Sequence, residues 1–279
     1  MVNRLVAYIG NDPERIACAL HPARPALHMF SSGPAADWGL GFVQSGDVLL
    51  QKRLRSQSAQ VDFFDLAHEL RADALLGRAT QGDSERSNTA NADPFRFRYW
   101  LFGAVGEFGD FAPIHARLLD SIPEFLRRNI RGHSPSEQLF HLFLAFLHDA
   151  GLLDSLLAQP EPARRALAES VAFVDRLLAE SGGASTKLAV VATDGRCLVA
   201  LSHGHPVQYL EIRGIAACQI CRAKQPEEKR ERPIAHERLR AVIVEADHQQ
   251  GKRAGWHPVP EGGAISVGPR MIVQTSAAG

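Results

Sequence analysis

The chain has 279 residues, 45% of them hydrophobic, with 31 Lys+Arg balanced by 31 Asp+Glu. Zero net charge argues against the cationic surface that non-specific binding to nucleic acid or to an anionic membrane requires, and the apolar content excludes wholesale disorder. The longest apolar run, Leu139–Leu147, is interrupted by His141 and falls far short of the ~20 residues of a bilayer span.

The opening decapeptide, MVNRLVAYIG, lacks the charged, apolar and cleavage regions of a signal peptide. The expectation is a cytoplasmic protein with no nucleic-acid and no membrane partner. The four cysteines do not amount to a disulfide framework in a chain of this size.

In chain order, Arg4–Ile9 predicts a buried strand that stops at Gly10. Leu40–Val43 and Val48–Gln51 flank the turn dipeptide Ser45-Gly46 and predict a hairpin. Phe63–Arg71 has helical spacing, and Ala74–Thr80 and Tyr99–Val105 read as strands on either side of a polar, irregular stretch. From Pro113 the period becomes helical, with a kink at Pro123.

Ser134-Pro135-Ser136-Glu137 is a helix start signal, with a hydroxyl at N-cap, proline at N1 and glutamate at N3, and Gly151 stands where the helix should stop. Apolar residues on most sides of this helix predict a central, covered element. A third helix is expected over about Ala163–Glu180. Lys187–Ala192 and Arg196–Leu201 flank Asp194-Gly195, a strong hairpin signal. Ala241–Glu245, Ala264–Val267 and Met271–Val273 read as further strands. The mixed-charge segment between Arg222 and Arg240 reads as a solvated insertion. Strands, then helices, then strands is an α+β pattern without βαβ alternation.

Several of these segments, in this order, resemble the class II glutamine amidotransferase domain. Arg4–Gly10 is similar to that family's opening strand and Trp38-Gly39-Leu40-Gly41-Phe42 to its tryptophan-glycine hairpin. Gly77–Gly82 is similar to its histidine-x-arginine-x-alanine-threonine-x-glycine stretch in the second half of that motif, and Asn91–Phe95 resembles its asparagine-x-histidine-proline-phenylalanine. Gly103–Gly106 stands where a histidine-asparagine-glycine segment belongs, Gly132–Glu137 where glycine-x-threonine-aspartate-serine-glutamate belongs, and Trp256–Pro260 resembles a tryptophan-x-x-valine-proline near the C-terminus. The resemblance implies one domain over 1–279, a four-layer αββα sandwich of the N-terminal-nucleophile hydrolase type, with a charged insertion at about 222–240.

The family's chemistry uses an N-terminal thiol whose own α-amine is the base, with backbone and asparagine donors holding the oxyanion. At those positions this sequence departs. Asn3 stands at the cysteine's place, and removal of Met1 would expose only the amine of Val2. Val105 replaces the oxyanion asparagine, Pro135 the amine-binding aspartate, and Gly77 and Asp93 two histidines. Loss of one oxyanion donor costs on the order of 10²-fold in rate, and loss of the nucleophile removes the covalent route.

The framework positions remain, and among them Arg78, Thr80, Gly82 and Glu137 are the candidate ligand-binding residues. Arg78 keeps the position that contacts a substrate carboxylate in the family, and an ion pair with Asp93 or Glu137 is the preferred alternative for it. The implied function is a catalytically inactive amidotransferase-like protein, a binding or assembly subunit with a protein partner or a second copy of itself, requiring no cofactor. The alternative is an active amidotransferase or amidohydrolase with another nucleophile, for which Cys18 and Ser32 are candidates.

Cys218-Gln219-Ile220-Cys221 is a C-x₂-C unit outside the family pattern, with His203 and His205 upstream and His236 downstream. Cys218, Cys221, His203 and His205 could together form a closed tetrahedral zinc site. The H-x-H spacing is not a common finger spacing, and the plainer expectation is an apolar strand over Ile215–Ile220 carrying two ordinary thiols. Cys18 and Cys197 are expected as small core hydrophobes.

Overall fold

The computed structural model describes residues 3–24, 37–53, 69–80, 89–226, 233–247 and 253–276. Strand β1 (Asn3–Gly10) leads through the short helix α1 (Ile16–Leu20) to the hairpin β2 (Asp37–Gln44) and β3 (Asp47–Arg53). Strands β4 (Ala74–Thr80), β5 (Phe95–Phe97) and β6 (Trp100–Glu107) follow. The helical middle is α2 (His115–Asp120), α3 (Glu124–Arg127), α4 (Pro135–Asp149) and α5 (Pro160–Glu180). The last part is β7 (Lys187–Thr193), β8 (Leu198–His203), β9 (Val207–Ile215), α6 (Gln219–Ala223), β10 (His236–Asp247), β11 (Trp256–Pro258), β12 (Ala264–Val267) and β13 (Val273–Ser276).

The strands form two antiparallel sheets, one of seven in the order β11-β9-β10-β1-β4-β2-β3 and one of six in the order β13-β12-β8-β7-β6-β5. Side chains on a strand alternate between faces, and the core divides accordingly. Leu5, Ala7 and Ile9 of β1 meet Leu101 and Val105 of β6 and Ala189 and Val191 of β7 between the sheets. Val6 and Tyr8 of β1 turn to the outer face of the seven-stranded sheet, against Ile16, Ala19 and Leu20 of α1. Phe102 and Ala104 of β6 turn to the outer face of the other sheet, against α4 and α5. The result is the four-layer αββα arrangement expected for the α+β fold.

Local signals act where they are found. Ser45 and Gly46 both take positive φ, 52° and 87°, the backbone of a two-residue turn whose twist matches that of the flanking strands, and Gln44 pairs with Asp47 across it. In the second hairpin Asp194 Oδ1 accepts the N–H groups of Arg196 and Cys197, at 2.9 and 2.8 Å. Helix α4 is capped by Ser134, whose Oγ accepts the N–H of Ser136 at 3.2 Å, and Gly151 lies just beyond its end. The segment kinked at Pro123 is two separate helices, α2 and α3, since that proline closes the loop between them.

Three expectations change. Strand β9 is not among the expected strands, although its buried Leu210 and Ile212 alternate with the less buried Tyr209, Glu211 and Arg213; its pairing with β10 and β11 defines it. The insertion is shorter than expected on its C-terminal side: His236–Arg240 belongs to β10, with a register irregularity between His236 and Arg240. The C-x₂-C unit is not on a strand, because β9 ends at Ile215 and Gln219–Ala223 is helical. Most of the helix expected over Phe63–Arg71 lies outside the described residues. Among the described residues no helix is long and apolar enough to cross a membrane.

The six-stranded sheet is held to α4 by aromatic packing. Phe102 stacks on Phe140 with ring centroids 5.1 Å apart, and Trp100 meets Phe143 edge-on at 5.2 Å. Phe102, Phe140 and Phe143 are fully buried. Phe140→Ala removes a ring that its surroundings cannot refill, and urea denaturation is expected to show a loss of about 3–5 kcal/mol.

Candidate functional site

The two sheets bring the expected site positions to one end of the space between them. In β4, Leu76 points into that space, so Arg78 and Thr80, two and four residues on, share its face. Asn3 opens β1 opposite Thr80, and Asp37 opens β2 opposite the same residue. Across the gap, Val105 of β6 is fully buried among Leu5, Ala189 and Val244. It presents only methyl groups where the resemblance places an amide donor. Pro135 is the first residue of α4, where its lack of an N–H costs nothing.

Asp93 organises this end of the molecule. Its side chain is completely buried and forms an ion pair with Arg78, whose own side chain is 16% exposed. The same carboxylate accepts the backbone N–H of Ala104 at 3.0 Å and the hydroxyl of Ser136 at 2.6 Å. One side chain thereby ties β4, β6 and the first turn of α4 to the segment before β5.

The backbone of β2 passes close by. A Cβ on Gly39 would lie 2.1 Å from the Asp93 carbonyl oxygen, so only glycine lets the hairpin approach. Asn91 adds a second tie, accepting the His133 N–H on Oδ1 at 2.8 Å. Glu137, 4% exposed, accepts the N–H groups of Arg131 and Gly132, at 2.9 and 2.7 Å. It satisfies the donors that precede the helix, as an N3 glutamate does in a capping box, although it reaches further back than usual.

Of the expected ligand-binding residues, Arg78 and Glu137 are therefore engaged within the protein, Thr80 closes β4 beside them, and Gly82 lies outside the described residues. A cleft of about 620 Å³ opens next to Glu137, along the edge strands β3 and β5, lined among others by Leu49, Leu50, Lys52, Phe95, Arg131 and His141. Lys52 donates to the Thr89 carbonyl at 3.2 Å and stands 4.9 Å from the centre of the Phe95 ring. Burial lowers its pKa, against the opposing pull of the Asp93 and Glu137 charges.

The C-x₂-C region lies on the other face of the seven-stranded sheet. His203 and His205 do not join it. The ring of His203 meets Asp175 of α5, Nε2 to Oδ2 at 2.7 Å, and His205 is buried in the turn between β8 and β9. What gathers around Cys218 and Cys221 is Cys18 from α1 and His236 from the start of β10, with one ligand atom of each of the four residues within 4.8 Å of the others. The Cys18 and Cys221 sulfurs are 3.6 Å apart, and His236 Nε2 is 3.3 Å from the Cys221 sulfur. Burial, then the hydrogen bonds with Cys218 and Cys221, push the Cys18 thiol far up. Burial and the nearby Arg15 cation hold the His236 imidazole below its ordinary value.

Cys18 therefore lies with the other thiols on the outer face, away from the inner-face positions of Arg78, Thr80 and Val105. Ser32, the other candidate nucleophile, lies outside the described residues. Cys197 is the buried core thiol that was expected.

No protein-family model and no curated protein matches the chain. Solved structures do. A glutamine aminotransferase class-II domain protein from Silicibacter pomeroyi matches over 99% of both chains at TM-score 0.61 and 16% identity. A predicted glutamine amidotransferase from Pseudomonas aeruginosa matches over 99% of this chain and 96% of its own, at TM-score 0.54 and 13% identity.

The chain has the fold of class II glutamine amidotransferase domains. An enzyme described as the allosteric regulatory enzyme of purine biosynthesis contains the same fold in about half its length, with 49% covered at TM-score 0.53 and 10% identity. Within that amidotransferase fold, the sequence reading missed the roles of Ser136 and of the Ala104 N–H as partners of Asp93. It also missed Cys18 as a companion of the C-x₂-C unit, 200 residues away and outside any local spacing.

Two measurements test these contacts. Removing Asp93 takes the buried counter-charge away from a largely buried guanidinium, so Asp93→Ala is expected to cost about 3–5 kcal/mol in urea denaturation. An Arg78→Leu/Asp93→Ala double variant should lose less than the sum of the single losses.

The second concerns pH. The Asp175 hydrogen bond raises the His203 pKa against burial, and nearby Asp175 and Glu261 charges add to the rise. Burial alone would raise the Asp175 carboxyl, but His203 and Thr186 together hold it below its ordinary value. The pair's contribution is whole between about pH 4 and pH 6.5, the ordinary values of the two groups. It is lost upward as pH rises through the folded-state value of His203, and downward as pH falls through that of Asp175. With a third of the imidazole in water, His203→Gln should destabilise by no more than about 1 kcal/mol at pH 6, and by progressively less above pH 8, in thermal melts.

Proposed function

We propose that this protein is a catalytically inactive member of the amidotransferase fold, a pseudoenzyme that serves as a binding or assembly subunit for a protein partner or for a second copy of itself. The observation that carries the reading is the Asp93 carboxylate. In the family that the sequence resembles, the arginine at the place of Arg78 holds the carboxylate of the substrate. Here a carboxylate of the protein's own chain pairs with it, buried and further anchored by Ser136 and Ala104. An external carboxylate would have to displace a fully desolvated internal one with three donors, which costs more than the charge-assisted bonds it could gain.

The other departures point the same way. Asn3 carries no nucleophile. Val105 offers no oxyanion donor, and it packs the interior between the sheets. Pro135 serves the start of α4. Val105 suits packing and Pro135 suits helix geometry, so at two of the three positions the residue that takes the place of a chemical group contributes to the scaffold.

Glutamate release from glutamine by the purified full chain tests the reading directly, since loss of the nucleophile removes on the order of 10⁶-fold in rate. Release no faster than in buffer is expected, and calorimetry should detect no glutamine or glutamate binding at millimolar ligand. Turnover above background that disappears on Asn3→Ala would overturn the proposal.

A further inference from the structure

We propose that Cys18, Cys218, Cys221 and His236 form a closed, tetrahedral Cys₃His site that binds one zinc ion and fastens the outer helical layer to the seven-stranded sheet. The inference stands apart from the reading of the inner site, on the opposite face of the same sheet.

Geometry carries it. A tetrahedral ion with Zn–S bonds of ~2.3 Å and a Zn–N bond of ~2.0–2.1 Å sets its ligand atoms roughly 3.8 Å apart, sulfur to sulfur, and roughly 3.6 Å apart, sulfur to nitrogen. The Cys18 and Cys221 sulfurs are 3.6 Å apart and the Cys221 sulfur and His236 Nε2 are 3.3 Å apart, with all four ligand atoms within 4.8 Å of one another. A disulfide would need sulfurs at ~2.05 Å, and all four cysteines of the chain are free thiols. The spacing is that of ligands around one ion.

The local structure suits the same chemistry. Cys218 caps α6, and its sulfur accepts the Cys221 N–H at 3.5 Å, so the C-x₂-C turn presents both sulfurs on one side and hydrogen-bonds one of them. The Cys218 N–H is fixed in turn by the Ile234 carbonyl, at 2.7 Å, close to His236. Cys18 and Cys218 are 4% and 3% exposed, set among the apolar residues Ile16, Ala19, Ile215 and Ile220. Three thiolates, a neutral imidazole and Zn²⁺ sum to −1, and Arg15 donates Nη1–H to the Cys221 sulfur at 3.5 Å, bringing a compensating cation.

Binding breaks three S–H bonds, releases three protons to solvent and forms three Zn–S bonds and one Zn–N bond, with no change of oxidation state. Sulfur-rich ligation favours zinc over magnesium or calcium. With four protein ligands no position is left for water, which makes the site structural.

The fold gives such a site work to do. Among the described residues, the outer layer of the six-stranded sheet includes helices of 15 and 21 residues, whereas α1 and α6, on the outer face of the other sheet, have five residues each. Helices that short do not hold themselves together. One ion would join α1, α6 and the first residue of β10, and so close both ends of the connection from β9 to β10.

Metal analysis of the full chain, purified under reducing conditions without chelator, is expected to find about one zinc per chain. Cys221→Ser and His236→Ala should each reduce this to less than about a fifth, while His203→Ala leaves it unchanged. Replacement by Co²⁺ in the wild-type protein gives a readout that needs no variant: thiolate-to-cobalt charge-transfer absorption together with the intense ligand-field bands of a tetrahedral ion. Zinc retained by both Cys221→Ser and His236→Ala, or a folded wild-type protein that holds no zinc and yields no tetrahedral cobalt spectrum, would overturn the proposal. So would a disulfide between any two of the three cysteines in the protein as isolated.

Discussion

Two antiparallel sheets that bury their inner faces against each other allow little but apolar side chains at alternate positions of their central strands. Leu5, Ala7 and Ile9 of β1 answer Leu101 and Val105 of β6 under that constraint, and everything else is arranged around it. The outer faces must then be covered separately, by α4 and α5 on one side and by α1 on the other. Functional groups can enter the space between the sheets only at its end, where strands begin and stop. At that end the polar side chains of this protein are turned to each other.

Asp93 is the centre of that polar network. A buried carboxylate is tolerable only when it is paired and hydrogen-bonded, and Asp93 has a guanidinium, a hydroxyl and a backbone N–H. This internal ion pair makes the region part of the framework, joining β4, β6 and α4, so the residues around it contribute stability.

The opposite face shows a different use of side-chain chemistry. Where α4 and α5 supply broad apolar surfaces, α1 and α6 supply small ones, and a cluster of three sulfurs and an imidazole lies at their junction. Metal-free, thiols 3.6 Å apart are only modest hydrophobes. Cross-linking through a common ion gives the same atoms a much larger part in holding the layer in place.

Features set by neighbours in the chain were legible in the sequence. Ser134-Pro135-Ser136-Glu137 fixed the start of α4, and Ser45-Gly46 and Asp194-Gly195 fixed two hairpins, because a cap or a two-residue turn is satisfied by atoms within about four residues. The framework motifs also carried the αββα architecture, through the family that they resemble. Strand β9 and the first residues of β10 were not read as strands, since β9 is defined by its pairing with β10 and β11, and the start of β10 by its pairing with β9.

Which partner Arg78 would take was left open between Asp93 and Glu137, and the C-x₂-C unit was matched to the nearest histidines in sequence. Only the folded chain carries Cys18 across 203 residues to Cys221 and sets His236 beside them. Long-range pairing of that kind depends on which sheet face each strand presents and on how the layers stack. Those choices are settled by burying the whole core at once, and no short stretch of sequence contains them.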